Sequence, residues 1–148
     1  MENSHTARHS LPFLFVTQAQ KELTHNEALA RIDALLHPVV EAQLAAPPAP
    51  TSMDDGKCWL IADSATGGWS GKSGQIARWS GGSWRYLEPV QGMSLINMAD
   101  GKRCFYISGQ WIASNAIPDP AGGTVIDVEA RAAIAAILGH LRQIQTIP

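Results

Sequence analysis

The period of the apolar positions changes along the chain, and the changes divide it into segments. Across residues 18–36 (QAQKELTHNEALARIDALL), Ala28, Leu29, Ile32, Leu35 and Leu36 recur at three- and four-residue steps, which predicts one buried helical stripe. Asn26, Glu27, Arg31 and Asp33 fall largely off that stripe. Thr24 followed by Glu27 has the capping-box spacing and predicts a helix start at His25. Pro38 ends it, because the residue before a proline is pushed out of the helical region. Residues 39–46 then alternate as one strand would, with Val40, Ala42 and Leu44 on one face and Val39, Glu41 and Gln43 on the other. Upstream, the apolar run 11–16 (LPFLFV) fits a short strand or an extended segment packed on the core, and residues 1–10 are polar without periodicity.

Ala46-Pro47-Pro48-Ala49-Pro50 reads as a stiff extended connection, and residues 52–56 as a turn into a sheet. From there the pattern is short apolar runs at 57–62, 75–79, 84–87, 94–98, 103–107 and 110–113, with a glycine-serine loop at 66–74. Ser80-Gly81-Gly82-Ser83 has hairpin chemistry, since glycine accepts the positive φ of a tight turn. The expected arrangement is an antiparallel meander. A faint echo relates residues 56–61 to 101–107 and the Trp79–Trp84 turn to residues 107–111, suggesting two related hairpins. Of the tryptophans at 59, 69, 79, 84 and 111, four fit a core alternating inward along a small sheet. Trp69 stands in the glycine-serine loop, where packing explains it least, and is the candidate glycan contact.

Residues 115–123 (NAIPDPAGG) have linker composition. Asp127 offers an N-cap and Glu129 a first-turn charge suited to the helix dipole. Ala130, Ile134, Ile137, Leu141 and Ile144 follow at heptad spacing, a candidate oligomer seam of barely two heptads, with packing back on the same domain as the alternative. Isoleucine at both kinds of seam position leans towards trimers. The fold class expected is therefore α+β: an N-terminal helix packed on a small antiparallel meander or barrel, plus a C-terminal helix after a Pro/Gly linker. The corresponding division is an arm at 1–10, ordered only when a partner holds it, a core domain at 11–114, a linker at 115–126 and an oligomerisation or docking helix at 127–148.

Composition narrows the function classes. A chain of 148 residues, 45% apolar, is long enough for one domain with a proper core. Its net charge of −2 and pI near 6.2 argue against nucleic acid as a partner. Only 16% of residues are charged, a lightly solvated surface that favours life in an assembly. No signal-peptide core or membrane-spanning apolar run is visible, so cytoplasmic synthesis without membrane insertion is expected. Cys58 and Cys104 make no metal spacing and read by default as buried thiols. His5 and His9 have no nearby carboxylate or cysteine to complete a metal site. His25-Asn26-Glu27 lacks the second histidine of a zinc-protease motif, no serine sits in a nucleophile elbow, and residues 67–74 are not a phosphate loop. We therefore expect no enzyme activity, no catalytic or metal-binding residues and no cofactor.

A resemblance adds a setting. Leu11-Pro12, Gln18-Ala19-Gln20-Lys21-Glu22, Thr24-His25-Asn26-Glu27-Ala28-Leu29, Ala46-Pro47-Pro48, Gly56-Lys57-Cys58-Trp59, Gly74-Gln75-Ile76-Ala77, Gly82-Ser83-Trp84 and Gly92 resemble an uncharacterised family encoded in prophages and gene-transfer-agent-like clusters. The resemblance spans roughly residues 11–113 and implies a structural protein of the tail-fibre or head-spike kind. On that reading the chain is a base or adaptor that attaches a fibre to a virion or phage-like particle. Its partners would be capsid or tail proteins, a fibre protein and further copies of itself, a trimer favoured and a pentamer second. Gln18, Gln20, Lys21, Glu22, His25 and Asn26 are the candidate particle-docking residues. The alternative is a module that binds a host surface polysaccharide, through Trp69.

Overall fold

The computed structural model describes residues 4–14, 21–124 and 127–144. Helix α1 (Lys21–Leu36) is followed by β1 (Val39–Val40), β2 (Gln43–Leu44), β3 (Cys58–Ile61), β4 (Ile76–Ser80), β5 (Ser83–Leu87), β6 (Ser94–Asn97), β7 (Lys102–Ile107), β8 (Gln110–Ala113) and helix α2 (Val128–Gln143). The strands form two four-stranded sheets, β2-β3-β4-β5 and β1-β6-β7-β8, in a sandwich-like arrangement. This corrects the expectation of a helix on a single antiparallel meander or barrel: there are two sheets, no barrel closes, and α1 lies within the domain.

The six runs from residue 57 onward are strands, but the one strand expected at 39–46 is two. Val39–Val40 pairs in parallel with β6, and Gln43–Leu44 in parallel with β3, so consecutive dipeptides belong to different sheets. The expected common face of Val40, Ala42 and Leu44 is correspondingly broken: Val40 joins one apolar cluster, Ala42 and Leu44 another. The physical reason for two sheets is visible in β3, where Cys58, Trp59, Leu60 and Ile61 are all buried. A strand with both faces apolar needs cover on both sides. Cys58 and Leu60 meet Ile76, Leu87, Leu95, Cys104, Val40 and Ala34 in the core that draws on both sheets. Trp59 and Ile61 face the other way, with Ala77 and Trp69.

That second cluster is roofed by the glycine-serine loop. Trp69 is completely buried, with its ring edge-on to Trp84 at 5.2 Å. Trp84 also meets Trp59 at 5.4 Å and Trp79 at 5.0 Å, so four indoles share one site around it. Trp111 belongs instead to the core between the sheets and donates its Nε1–H to the Gly74 carbonyl at 2.8 Å.

The two hairpin turns are equivalent. Gly81-Gly82 and Ser108-Gly109 each place two residues at positive φ, the geometry of a type I′ turn, and each is flanked by an aromatic pair, Trp79 with Trp84 and Tyr106 with Trp111. The hairpin half of the internal echo is thus structural. The other half aligns β3, first in its meander, with β7, second in its own, and is not.

Helix α1 differs from expectation at its start and on its face. It already runs through Lys21, so Thr24 lies within it. Asp33 and Ala34 are its buried residues, while Ile32 and Leu36 of the expected stripe are about half exposed. An acidic side chain was traded inward because the N-terminal segment supplies donors for it. At the other end of the chain Asp127 caps α2 by accepting from the Ala130 N–H at 2.8 Å, as its sequence position predicts.

Burying an indole of this size makes Trp69→Ala destabilising by about 3–5 kcal/mol. Urea denaturation followed by far-UV circular dichroism checks this, and an unchanged midpoint would remove Trp69 from the core.

Candidate functional site

Residues 4–14 fold back on α1. The Asp33 carboxylate accepts from Thr6 Oγ1 at 2.7 Å, from the Arg8 N–H at 3.1 Å and the His9 N–H at 2.7 Å, and lies 3.1 Å from His9 Nδ1. Burial alone would raise its pKa, but the donors from Thr6, His9 and Arg8 outweigh it and hold the carboxyl below its ordinary value. Arg8 then reaches past Asp33 to the carbonyls of Ala34 and His37, at 3.2 and 2.7 Å, satisfying the open end of α1. His9 Nε2 stands 3.1 Å from His37 Nδ1. An Asp–His pair of this kind orients an imidazole, yet its second nitrogen meets another histidine and no nucleophile. Downstream, Asn26 of α1 clamps the segment by accepting from the Leu14 N–H at 2.9 Å and donating to its carbonyl at 3.0 Å.

Ala7 of the same segment packs on Gly56, where an added Cβ would collide with the Ala7 methyl and the φ of +84° disfavours any side chain. With one wall from this segment and α1 and the other from the Pro50–Ser52 turn and the β4–β5 hairpin, a groove of about 1110 Å³ opens. A smaller one of about 430 Å³ continues it along α1 and β5. Both are lined by Phe13, Leu23, Asn26, Arg78 and Ser80. Arg78, on β4, is 4% exposed, and its Nε has no hydrogen-bond partner.

The residues expected to dock on a particle are only partly gathered there. Gln18 and Gln20 lie outside the described residues. Lys21 opens α1, Glu22 and Asn26 line the larger groove, and His25 is exposed. Among the seam residues, Ala130, Ile134, Ile137 and Ile144 are exposed and Leu141 half-buried. Trp69, the candidate glycan contact, presents no face to solvent. Its loop composition suggested exposure, but the loop is held down: the Thr66 N–H donates to the Ala45 carbonyl at 2.7 Å, and Gly68 lies against Pro47.

Neither cysteine is disulfide-bonded, and burial raises both thiols, Cys58 to about 11. They are protonated at neutral pH and poor nucleophiles. The described residues hold no cluster of three or more His, Cys, Asp or Glu placed to bind a metal ion, and no described helix is long and apolar enough to cross a membrane. Asp33, Thr6 and Arg78 are the residues that sequence reasoning missed. A carboxylate beside an apolar helical stripe and an arginine within an apolar strand were the available signals.

The sequence model of a family described as "Protein of unknown function (DUF2793)" matches residues 25–112, more than half of the chain. The chain belongs to the DUF2793 family. The matched region runs from the second turn of α1 into β8, so the DUF2793 unit contains both sheets, Arg78 and the Trp84 cluster. The segment at 4–14 and helix α2 lie outside it. No curated protein matches the chain in sequence.

Replacing Asp33 with Ala strands three donors and should cost about 3 kcal/mol. Because the folded-state pKa lies below the unfolded one, this contribution is full above the unfolded value, near 3.8, and is lost as pH falls through the folded value. The stability difference between wild type and Asp33→Ala, measured by denaturant titration, should therefore be constant at neutral pH and shrink only below about pH 4. A difference independent of pH down to 2 would contradict the assignment.

Proposed function

We propose that this chain is a structural subunit of a phage-like particle, the base or adaptor on which a head spike or fibre stands, and that it works as a homo-oligomer. The particle setting rests on the resemblance carried by residues 11–113. The assembly rests on one observation: the stripe on α2 is uncovered, with Ile134 44%, Ile137 59% and Ile144 49% exposed.

The stripe is not the face by which α2 meets its own chain. Arg131 donates to the Gly122 carbonyl, and Arg142 donates to the Ile117 carbonyl at 2.8 Å and pairs with Asp119 at 3.2 Å, so the 117–123 connection lies along one side of the helix. Arg131, Leu138 and Arg142 are roughly 100° around the helix from the seam, and of these Leu138 is buried. The seam faces elsewhere. Elsewhere on the surface, Ile32 and Leu36 of α1 and Phe105 and Ile112, paired across β7 and β8, also remain open. These open apolar positions support contact with further copies or another protein.

A trimer fits the isoleucine seam best, with a pentamer second. Closed cyclic symmetry would place identical helices side by side. The polysaccharide-binding alternative loses the residue on which it relied, since Trp69 is enclosed.

Light scattering on the full chain should give a trimer mass, and a chain ended before Asp127 should fall to a lower state. An assembly unchanged by that truncation would take the seam out of this role, and a monomeric full chain at every concentration would contradict the proposal.

A further inference from the structure

Arg78 lies on the face of β4 that carries Ile76 into the core between the sheets, and it is 4% exposed. Its Nε has no hydrogen-bond partner, and it forms no ion pair with a described residue. A guanidinium has five donors and no means of discharging itself by losing a proton. Burying its Nε without a partner and the charge without a counter-ion is destabilising, and a hydrophobic side chain of similar volume would suit a purely structural position better. The neighbour across the ladder makes matters worse, for Arg85 of β5 stands directly opposite Arg78.

Of the acids that line the grooves, Asp55 and Glu27 are engaged elsewhere, and Glu22, on the α1 side of the larger groove, forms no ion pair with Arg78. Asp55, on the larger groove, accepts from the Gly81 N–H at 2.9 Å. Glu27, on the smaller one, is 3.5 Å from Arg31. Arg31, Arg78 and Arg85 all line the smaller groove, so its balance is positive. Both grooves meet at Arg78.

We propose that Arg78 receives the carboxylate of an aspartate or glutamate in a partner polypeptide, which lies extended through the two grooves with apolar residues on either side of the acid. The planar carboxylate matches the guanidinium fork and would supply the missing charge in a site already sheltered from water. The walls decide the class of ligand. Leu14 and Leu23 are 52% and 67% exposed beside Phe13, an apolar stretch suited to the side chains that flank the acid, while Asn26, Thr51 and Ser52 give the rest of the larger groove polar groups suited to a peptide backbone. The size agrees, since the larger groove alone exceeds the roughly 300–1,000 Å³ of ordinary small-molecule sites. The inference deepens the adaptor reading and rests on it for the class of partner alone.

The test is selection of a random dodecapeptide library on the immobilised full chain, followed by affinity measurement with the enriched peptides made synthetically. Enrichment of peptides carrying Asp or Glu between apolar residues is expected. Changing that acid to its amide, or Arg78→Met in the protein, should weaken binding by about thirtyfold or more. Arg78→Met should also melt at the same temperature as wild type or higher, the opposite of what a structural arginine would give. Should the methionine variant not fold, Arg78→Lys keeps the charge, loses the fork, and should still weaken binding about tenfold. Absence of enrichment, enriched peptides without an acid, equal binding by the Arg78 variants, or displacement of the peptide by millimolar oligogalacturonate or inorganic phosphate would each overturn the proposal. A trimer that enriches no acidic peptide would overturn the groove and leave the adaptor reading standing. A monomer that binds acidic peptides would do the reverse.

Discussion

Two short parallel pairings, made by one extended segment, tie the sandwich together. Val39–Val40 lies beside β6, with the Ile96 and Met98 N–H groups donating to the Pro38 and Val40 carbonyls at 3.0 and 2.9 Å. Three residues further on, the Leu60 and Ala62 N–H groups donate to the Ala42 and Leu44 carbonyls at 3.0 and 2.9 Å. The Glu41 N–H between them donates to the Cys58 carbonyl at 2.8 Å. Each pairing alone is only two residues long and could not hold a strand in water. Their flanks make them durable: α1 ends at Leu36 just ahead, and Ala45 and Pro47 just behind are engaged by the 66–68 loop. The position of α1 in turn depends on Asp33, which fixes the 4–14 segment and thereby one wall of the groove.

What was legible in the chain was local. Glycine turns between aromatic and β-branched runs marked the six strands from residue 57 onward, because a type I′ turn needs residues such as Gly81-Gly82 and the runs between turns have nowhere else to go. The cap at Asp127 was legible for the same reason, since one carboxylate and one N–H decide it. The partition into two sheets was not, because it depends on where residues 39–44 cross over, and a dipeptide strand carries no period to read. The face of α1 was misread because Asp33 is polar by type but buried by partnership, and its partners stand 24 to 27 residues earlier. Trp69 was misplaced because glycine and serine around it suggested an open loop, whereas the loop is tied at Thr66 to Ala45 and sets Trp69 edge-on against Trp84. Arg78 was passed over inside an apolar strand, and only burial reveals that its Nε lacks a hydrogen-bond partner and that no described acid pairs with it.

The groove and the uncovered helix belong to different parts of the chain. Arg78, Arg85 and the hairpin that bounds the groove fall within the DUF2793 unit, while α2 lies beyond it. On the adaptor account this separation is functional: the sheets and the N-terminal segment would grip a partner, and the C-terminal helix would gather copies. The sandwich has its own two cores and does not need α2 to close either. The helix has little to hold it within one chain, since a sixteen-residue helix is marginal in water without tertiary packing and here rests on Leu138 and the arginine contacts to the 117–123 connection.

That contrast makes backbone hydrogen exchange the most direct test of the central claim, that α2 is ordered by association with its own copies. On the intact chain at high concentration, the amides of α2 should be protected to the degree of β3 and β4, and should lose that protection on dilution while the strands keep theirs. Fast exchange of α2 at every concentration, or protection that dilution does not change, would contradict the account.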